Sequence, residues 1–79
     1  NLMEKVTILF GTDICRAVFD GDWNQVEKSI NDGDFGLTTI QLPLTSIRDI
    51  GDLMDSADGW GAYCFLSGDD LRKFNELNN

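Results

Sequence analysis

Ala17-Val-Phe-Asp-Gly-Asp-Trp-Asn-Gln-Val-Glu-Lys-Ser-Ile-Asn-Asp-Gly33 is the stretch that decides the fold, because it has two readings. Asp20-Gly21, between Ala17-Val-Phe19 and Asp22-Trp23, is a hairpin signal. Against it, Asp22 and Gln25 form a capping pair at a helix start. Trp23, Val26 and Ile30 then share one helical face, and Gly33 makes a natural stop. Thr12, Ile14, Ala17 and Val18 suit a short helix just before. The hairpin would add strands to the sheet; the two helices add a helical layer to it. The balance of signals favours two helices.

Outward from this stretch the elements are plainer. Lys5-Val-Thr-Ile-Leu-Phe10 is β-branched and apolar and stops at Gly11, so it reads as a mostly buried strand. Phe35 to Leu42 reads as a second strand, with Thr38, Ile40 and Leu42 on one face and Leu37, Thr39 and Gln41 on the other. Pro43 ends it, since proline is confined to sheet edges and strand ends. Ser46 to about Ala57 is a helix, with Ser46 and Asp49 as a capping pair. Ala62 to Leu66 is a third strand, entered through Gly59 and Gly61. Ser67 to Asp70 opens a last helix bearing Leu71, Phe74 and Leu77. The expected architecture is a single α+β domain over residues 1–79: a sheet of about three strands with three to four short helices packed on it.

Ala17 to Gly33 also resembles the helix–turn–helix half of an ankyrin repeat, including the step from Gly21 to Gly33. It lacks the Thr-Pro-Leu-His opening, carries Ser29 where a leucine is expected, and does not recur. The resemblance supports two helices, not an ankyrin array, which needs at least three repeats.

Charge carries the functional information. Fourteen acids stand against six bases, for a net charge of −8 with no histidine. Such a field repels nucleic acid and membrane surfaces and attracts basic partners. Eleven of the acids are Asp and three are Glu. Asp suits caps and turns and disfavours helix interiors, so part of this excess is structural.

The helix from Ser46 is where structure does not account for it. At 100° per residue, Ile47, Ile50, Leu53, Met54 and Ala57 fall within an arc of about 120°, and Asp49, Asp52 and Asp55 within another that does not overlap it. Successive acids of the row Asp49, Asp52, Asp55, Asp58 rise about 4.5 Å apart along the axis. The expectation is an apolar stripe packed on the sheet and an acidic face in water, with Arg48 pairing one acid, Asp52. Asp55 and Asp58 stand at the negative end of the helix dipole, where a helix tuned for stability would place Lys or Arg. The last helix contrasts with it: Asp69–Lys73 and Arg72–Glu76 at i,i+4 give a mixed, near-neutral face. Asp20, Asp22, Asp32 and Asp34 add a second group of acids in the turns flanking the Trp23 helix. Caps, turns and solubilising surplus are the competing account of all these acids.

Other chemistry is poorly provided for. Asp20-Gly-Asp-Trp-Asn24 opens like a calcium-binding EF-hand loop, but Gln25 and Asn31 stand where that loop requires Gly and Glu. Cys15 and Cys64 with no histidine do not make a zinc site, and a thiol nucleophile lacks its base. The two cysteines read as free thiols in apolar surroundings. A glycosidase cleft exceeds what so short a chain encloses. No enzyme, metal or cofactor is expected. No apolar run approaches the ~20 residues of a membrane span, and Val6 to Phe10 is too short for a secretory signal core, so the protein reads as soluble and cytoplasmic.

Two functional readings follow. In size, acidity and lack of chemistry the chain resembles phage-encoded anti-CRISPR and anti-restriction inhibitors, several of which imitate DNA. That resemblance implies a non-enzymatic inhibitor docking on a basic, nucleic-acid-binding protein surface through Asp49, Asp52, Asp55, Asp58 and Asp20, Asp22, Asp32, Asp34. The alternative is an immunity-protein, antitoxin-like or subunit module that binds a protein through Trp23, Trp60 and neighbouring aromatics such as Phe19, Phe35 and Tyr63.

Overall fold

The computed structural model describes residues 4–79. Along the chain stand β1 (Glu4–Phe10), α1 (Thr12–Asp20), α2 (Trp23–Asn31), β2 (Gly36–Leu42), α3 (Ile47–Ala57), β3 (Tyr63–Leu66) and α4 (Gly68–Leu77). The fold is α+β: a three-stranded antiparallel sheet in the order β2-β1-β3, with four helices.

β1 is central, so both its faces are covered, and a strand buried on both sides reads as a continuous apolar run. Ile8, Leu9 and Phe10 are each almost fully buried. Their alternation divides the core in two. Leu9 points into a cluster with Ile14, Ala17, Val18, Val26, Leu66 and Phe74, supplied largely by α1, α2 and α4. Ile8 and Phe10 point the other way, onto Leu53 of α3, with Val6, Ile40 and Trp60 around them. Three helices therefore lie on one face of the sheet, over β1 and β3, and α3 alone lies on the other, over β1 and β2.

The 17–33 stretch forms two helices, and the backbone shows why a hairpin loses. Gly21 is left-handed at φ 71°; its N–H reaches the Val18 carbonyl at 3.1 Å, and the next N–H, of Asp22, reaches Ala17 at 2.8 Å. The turn repeats one helix later. Gly33 at φ 70° bonds Ile30 at 3.0 Å, and Asp34 bonds Ser29 at 3.0 Å. Each pair of bonds satisfies the orphan carbonyls of a helix C-terminus, and each needs a residue at ease with positive φ. Asp22 then starts α2, its Oδ1 accepting from the Gln25 N–H at 3.2 Å. The Gln25 side chain does not turn back to Asp22; its Nε2 donates to buried Ser29 Oγ at 3.1 Å. That bond explains how Ser29 occupies a core position where a leucine was expected.

β2 and β3 both run antiparallel to β1, hence parallel to each other, and α3 carries the chain across between them. α3 starts as expected, with Ser46 Oγ accepting from the Asp49 N–H at 3.0 Å. Ser67 precedes α4 but makes no side-chain cap bond. Among the described residues no helix is long and apolar enough to cross a membrane.

Candidate functional site

Helix α3 is set on the sheet differently from the way its apolar stripe suggests. Leu53 is its one buried residue, and Ala57 packs partly beside it. Together they fix which side of the helix faces down. The apolar arc is wider than that side, and its remainder is left in water: Ile47 is 91% exposed, Met54 59% and Ile50 49%. The expectation that all five apolar residues pack on the sheet is therefore corrected. The sheet beneath offers Ile8 and Phe10 of β1 and Ile40 of β2, so α3 sits over those two strands and turns one flank toward uncovered β3.

The two flanks differ in chemistry. Toward β2, Asp49, Asp52 and Ser56 line a groove with Ile40, Gln41 and Leu44. Toward β3, Met54, Ala57 and Asp58 line a second groove with Ala62 and Tyr63. On β3, Cys64 and Leu66 turn inward to the three-helix side, so Tyr63 and Phe65 emerge on the α3 side. They are 44% and 52% exposed. The Tyr63 ring stands edge-on to Phe65 with centroids 6.3 Å apart, and tilts against Phe10 at 6.2 Å. Met54 and Tyr63 thus share an apolar trough, flanked by exposed Ile50 on α3 and Phe65 on β3, with an acidic helix crest beside it.

Asp52, Asp55 and Asp58 are exposed and Asp49 is half-buried. None of the four makes a salt bridge among the described residues. Arg48 does not pair with Asp52. Among the described residues the ion pairs that do form lie on α4, where Arg72 reaches Asp69 at 3.3 Å and Glu76 at 2.8 Å. Lys73 does not pair with Asp69; its ammonium lies 5.4 Å from the centre of the Trp23 ring, a cation–π contact.

The second group of acids does not extend the α3 row. It belongs to the layer of α1 and α2, across the sheet from α3. α2 spans nine residues, about 13 Å, and so holds Asp20 and Asp22 apart from Asp32 and Asp34. These four residues bracket the glycines that end α1 and α2, and Asp22 also caps α2. Arg16 and Lys28 line a groove with Asp20 and Asp22, which moderates the local field. The α3 row is the better candidate surface.

Both tryptophans have structural employment. Trp23 is half-buried under Lys73, in the α2–α4 contact. Trp60 is half-buried at the end of α3, packed on the cluster of Ile8, Phe10 and Leu53, and its carbonyl accepts from Thr12 Oγ1 at 3.3 Å. The exposed apolar residues that sequence reading missed are Leu37, Ile47, Ile50, Met54 and Phe65; Phe19, which it named, is 90% exposed.

The two cysteines are free, with Cys15 buried and Cys64 half-buried. Cys15 Sγ donates to the Leu9 carbonyl at 3.3 Å, and Leu9 is the strand partner of Cys64. A hydrogen bond to Cys64, then burial, pushes Cys15 up. The same bond pulls Cys64 down, against burial and the Asp70 carboxylate. Among the described residues no three Cys, Asp or Glu side chains converge as a metal site would require. Comparison with protein-family models, curated proteins and solved structures finds no match to this chain.

Proposed function

We propose that the protein is a non-enzymatic interaction protein that docks on a basic protein surface through α3, in the manner of a DNA-mimicking inhibitor. One observation carries this reading: Asp49, Asp52 and Asp55 of α3, and Asp58 just past its C-terminus, make no salt bridge among the described residues. The row costs local stability, since like charges at helical spacing repel by a few tenths of a kcal/mol per pair. A cationic partner surface would relieve that repulsion and gain from the same charges. The partner class is a nucleic-acid-binding protein, whose groove is built to accept a row of anions.

The test is a capture experiment from a host lysate, followed by competition with duplex DNA for the captured protein. Raising ionic strength from about 0.1 M to about 1 M shortens the screening length from about 10 Å to about 3 Å. Capture should fail across that range, DNA should displace the protein, and the variant carrying Asp49→Asn, Asp52→Asn, Asp55→Asn and Asp58→Asn should not bind. Retention at high salt, or full binding by the fourfold variant, would sink the proposal. Loss of binding on replacing Trp23 and Trp60 by Ala, with the acid variant unaffected, would favour the aromatic module instead.

A further inference from the structure

The sheet is covered unevenly. On one face, three helices lie over β1 and β3, while Leu37, Thr39 and Gln41 of β2 stay exposed. On the other, α3 rests over β1 and β2. Helices packed side by side lie 8–10 Å apart, about twice the ~4.8 Å spacing of strands. A second helix beside α3 would therefore lie above β3. Exposed apolar residues flank that vacant position: Met54 of α3 and Tyr63 of β3 line one groove, and Ile50 and Phe65 are exposed on the same two elements.

We infer that this trough is the seat of a partner's amphipathic helix, apolar beneath and basic along its edges. The inference rests on the reading of α3 as the docking element and names what docks there. Charge complementarity chooses the occupant. The trough is bounded on one side by the α3 crest, with Asp55 exposed, and at one end by Asp58, which lines the same groove as Met54 and Tyr63. Lysines or arginines on the flank of a seated helix would reach those carboxylates while its apolar face covers Tyr63, Phe65 and Met54. A second copy of this chain is disfavoured as occupant, since each copy carries a net charge of −8 and would set one acidic crest near another.

The experiment uses the full chain, isotope-labelled for amide NMR, titrated with a synthetic Leu/Lys amphipathic helix of roughly five turns. A scrambled peptide of identical composition, without a helical apolar face, is the control. The expected result is saturable one-to-one binding that shifts the amides of residues 50–54 and 63–65, with the scrambled peptide at least about tenfold weaker. The double variant Met54→Gln, Phe65→Ser should weaken the helical peptide about tenfold or more, with its native amide spectrum retained away from the trough. Because both side chains are half-exposed or more, the fold should survive; if it does not, Ile50→Gln supplies the same test. Equal binding of both peptides, or shifts at every acidic surface, overturns the inference while leaving attraction to basic proteins intact. Self-association in sedimentation that Phe65→Ser abolishes assigns the trough to a second copy and also overturns it. Loss of binding in the fourfold Asp→Asn variant but not in the Met54/Phe65 variant overturns the trough and spares the acidic row; the reverse overturns the acidic row.

Discussion

A Cβ added to Gly36 would stand 3.2 Å from Cε2 and Nε1 of Trp60, so the indole lies directly on the backbone at the start of β2. The contact closes the end of the sheet where α3 returns. Gly36→Val should force the indole outward and cost about 1–3 kcal/mol, as overpacking does. Urea unfolding measures it. Combined with Trp60→Leu, the cost should fall well below the sum of the two single changes, since the residues touch. Additive effects would mean that the indole does not oppose a side chain at Gly36.

Leu53 is the one buried residue of α3. Leu53→Ala should cost about 2–5 kcal/mol, the range for a core leucine whose cavity does not fully collapse. The loss should fall first on α3, read as amide-exchange protection across residues 47–57. A variant with α3 protection intact would show that other contacts hold the helix down.

Asp55 stands near the negative end of α3 without an ion-pair partner among the described residues. Asp55→Lys should raise stability by about 0.3–1 kcal/mol, by easing repulsion and meeting the helix dipole. The same change should weaken capture of a basic partner. A stabilised variant that binds as well as the parent would remove the reason for an acid at this position.

Cys15 and Cys64 give the protein a pH dependence with a definite sign. Cys64 is held below the ordinary cysteine value of 9.0, and Cys15 above it. Just below pH 9.0, the unfolded chain holds a proton at position 64 that the native chain has released, so stability rises with pH. Above pH 9.0, the native chain keeps a proton at position 15 that the unfolded chain has lost, so stability falls. Subtracting the profile of the Cys15→Ser, Cys64→Ser double variant isolates this contribution, which should peak near the ordinary thiol value. In alkylation at neutral pH, Cys64 should react well before Cys15, being both more ionised and less buried. Equal rates at the two sites would contradict the assignment.

Much of the fold was legible because its signals are local. The apolar run of β1, the Ser46 cap and the stop at Gly33 each depend on a few neighbouring residues. The 17–33 ambiguity was also local: Asp-Gly ends a helix as readily as it turns a hairpin, and the paired bonds from Gly21 and Asp22 to α1 carbonyls settle it. Strand order was not legible. β1 joins β2 through two helices, and nothing in their sequences states that β1 must lie between its successors. The candidate surface was half legible for a related reason. Helical spacing gives the relative angles of Asp49, Leu53 and Met54, but not how the helix is rotated on the sheet. Ile8, Phe10 and Ile40 fix that rotation by receiving Leu53, and it leaves Ile50 and Met54 in water. The turns around Gly21 and Gly33 look the same as the α3 row in a count of acids. Only the layers separate them.

The uneven layering has a thermodynamic consequence. A helix held to its sheet by one buried leucine, a half-buried alanine and a following indole is the segment that opens at least cost, ahead of the three-helix side. Amide exchange within α3 should therefore outrun global unfolding. Any ligand that bridges α3 and β3 would slow that exchange in proportion to how tightly it holds, so its affinity is readable from the breathing of a single helix.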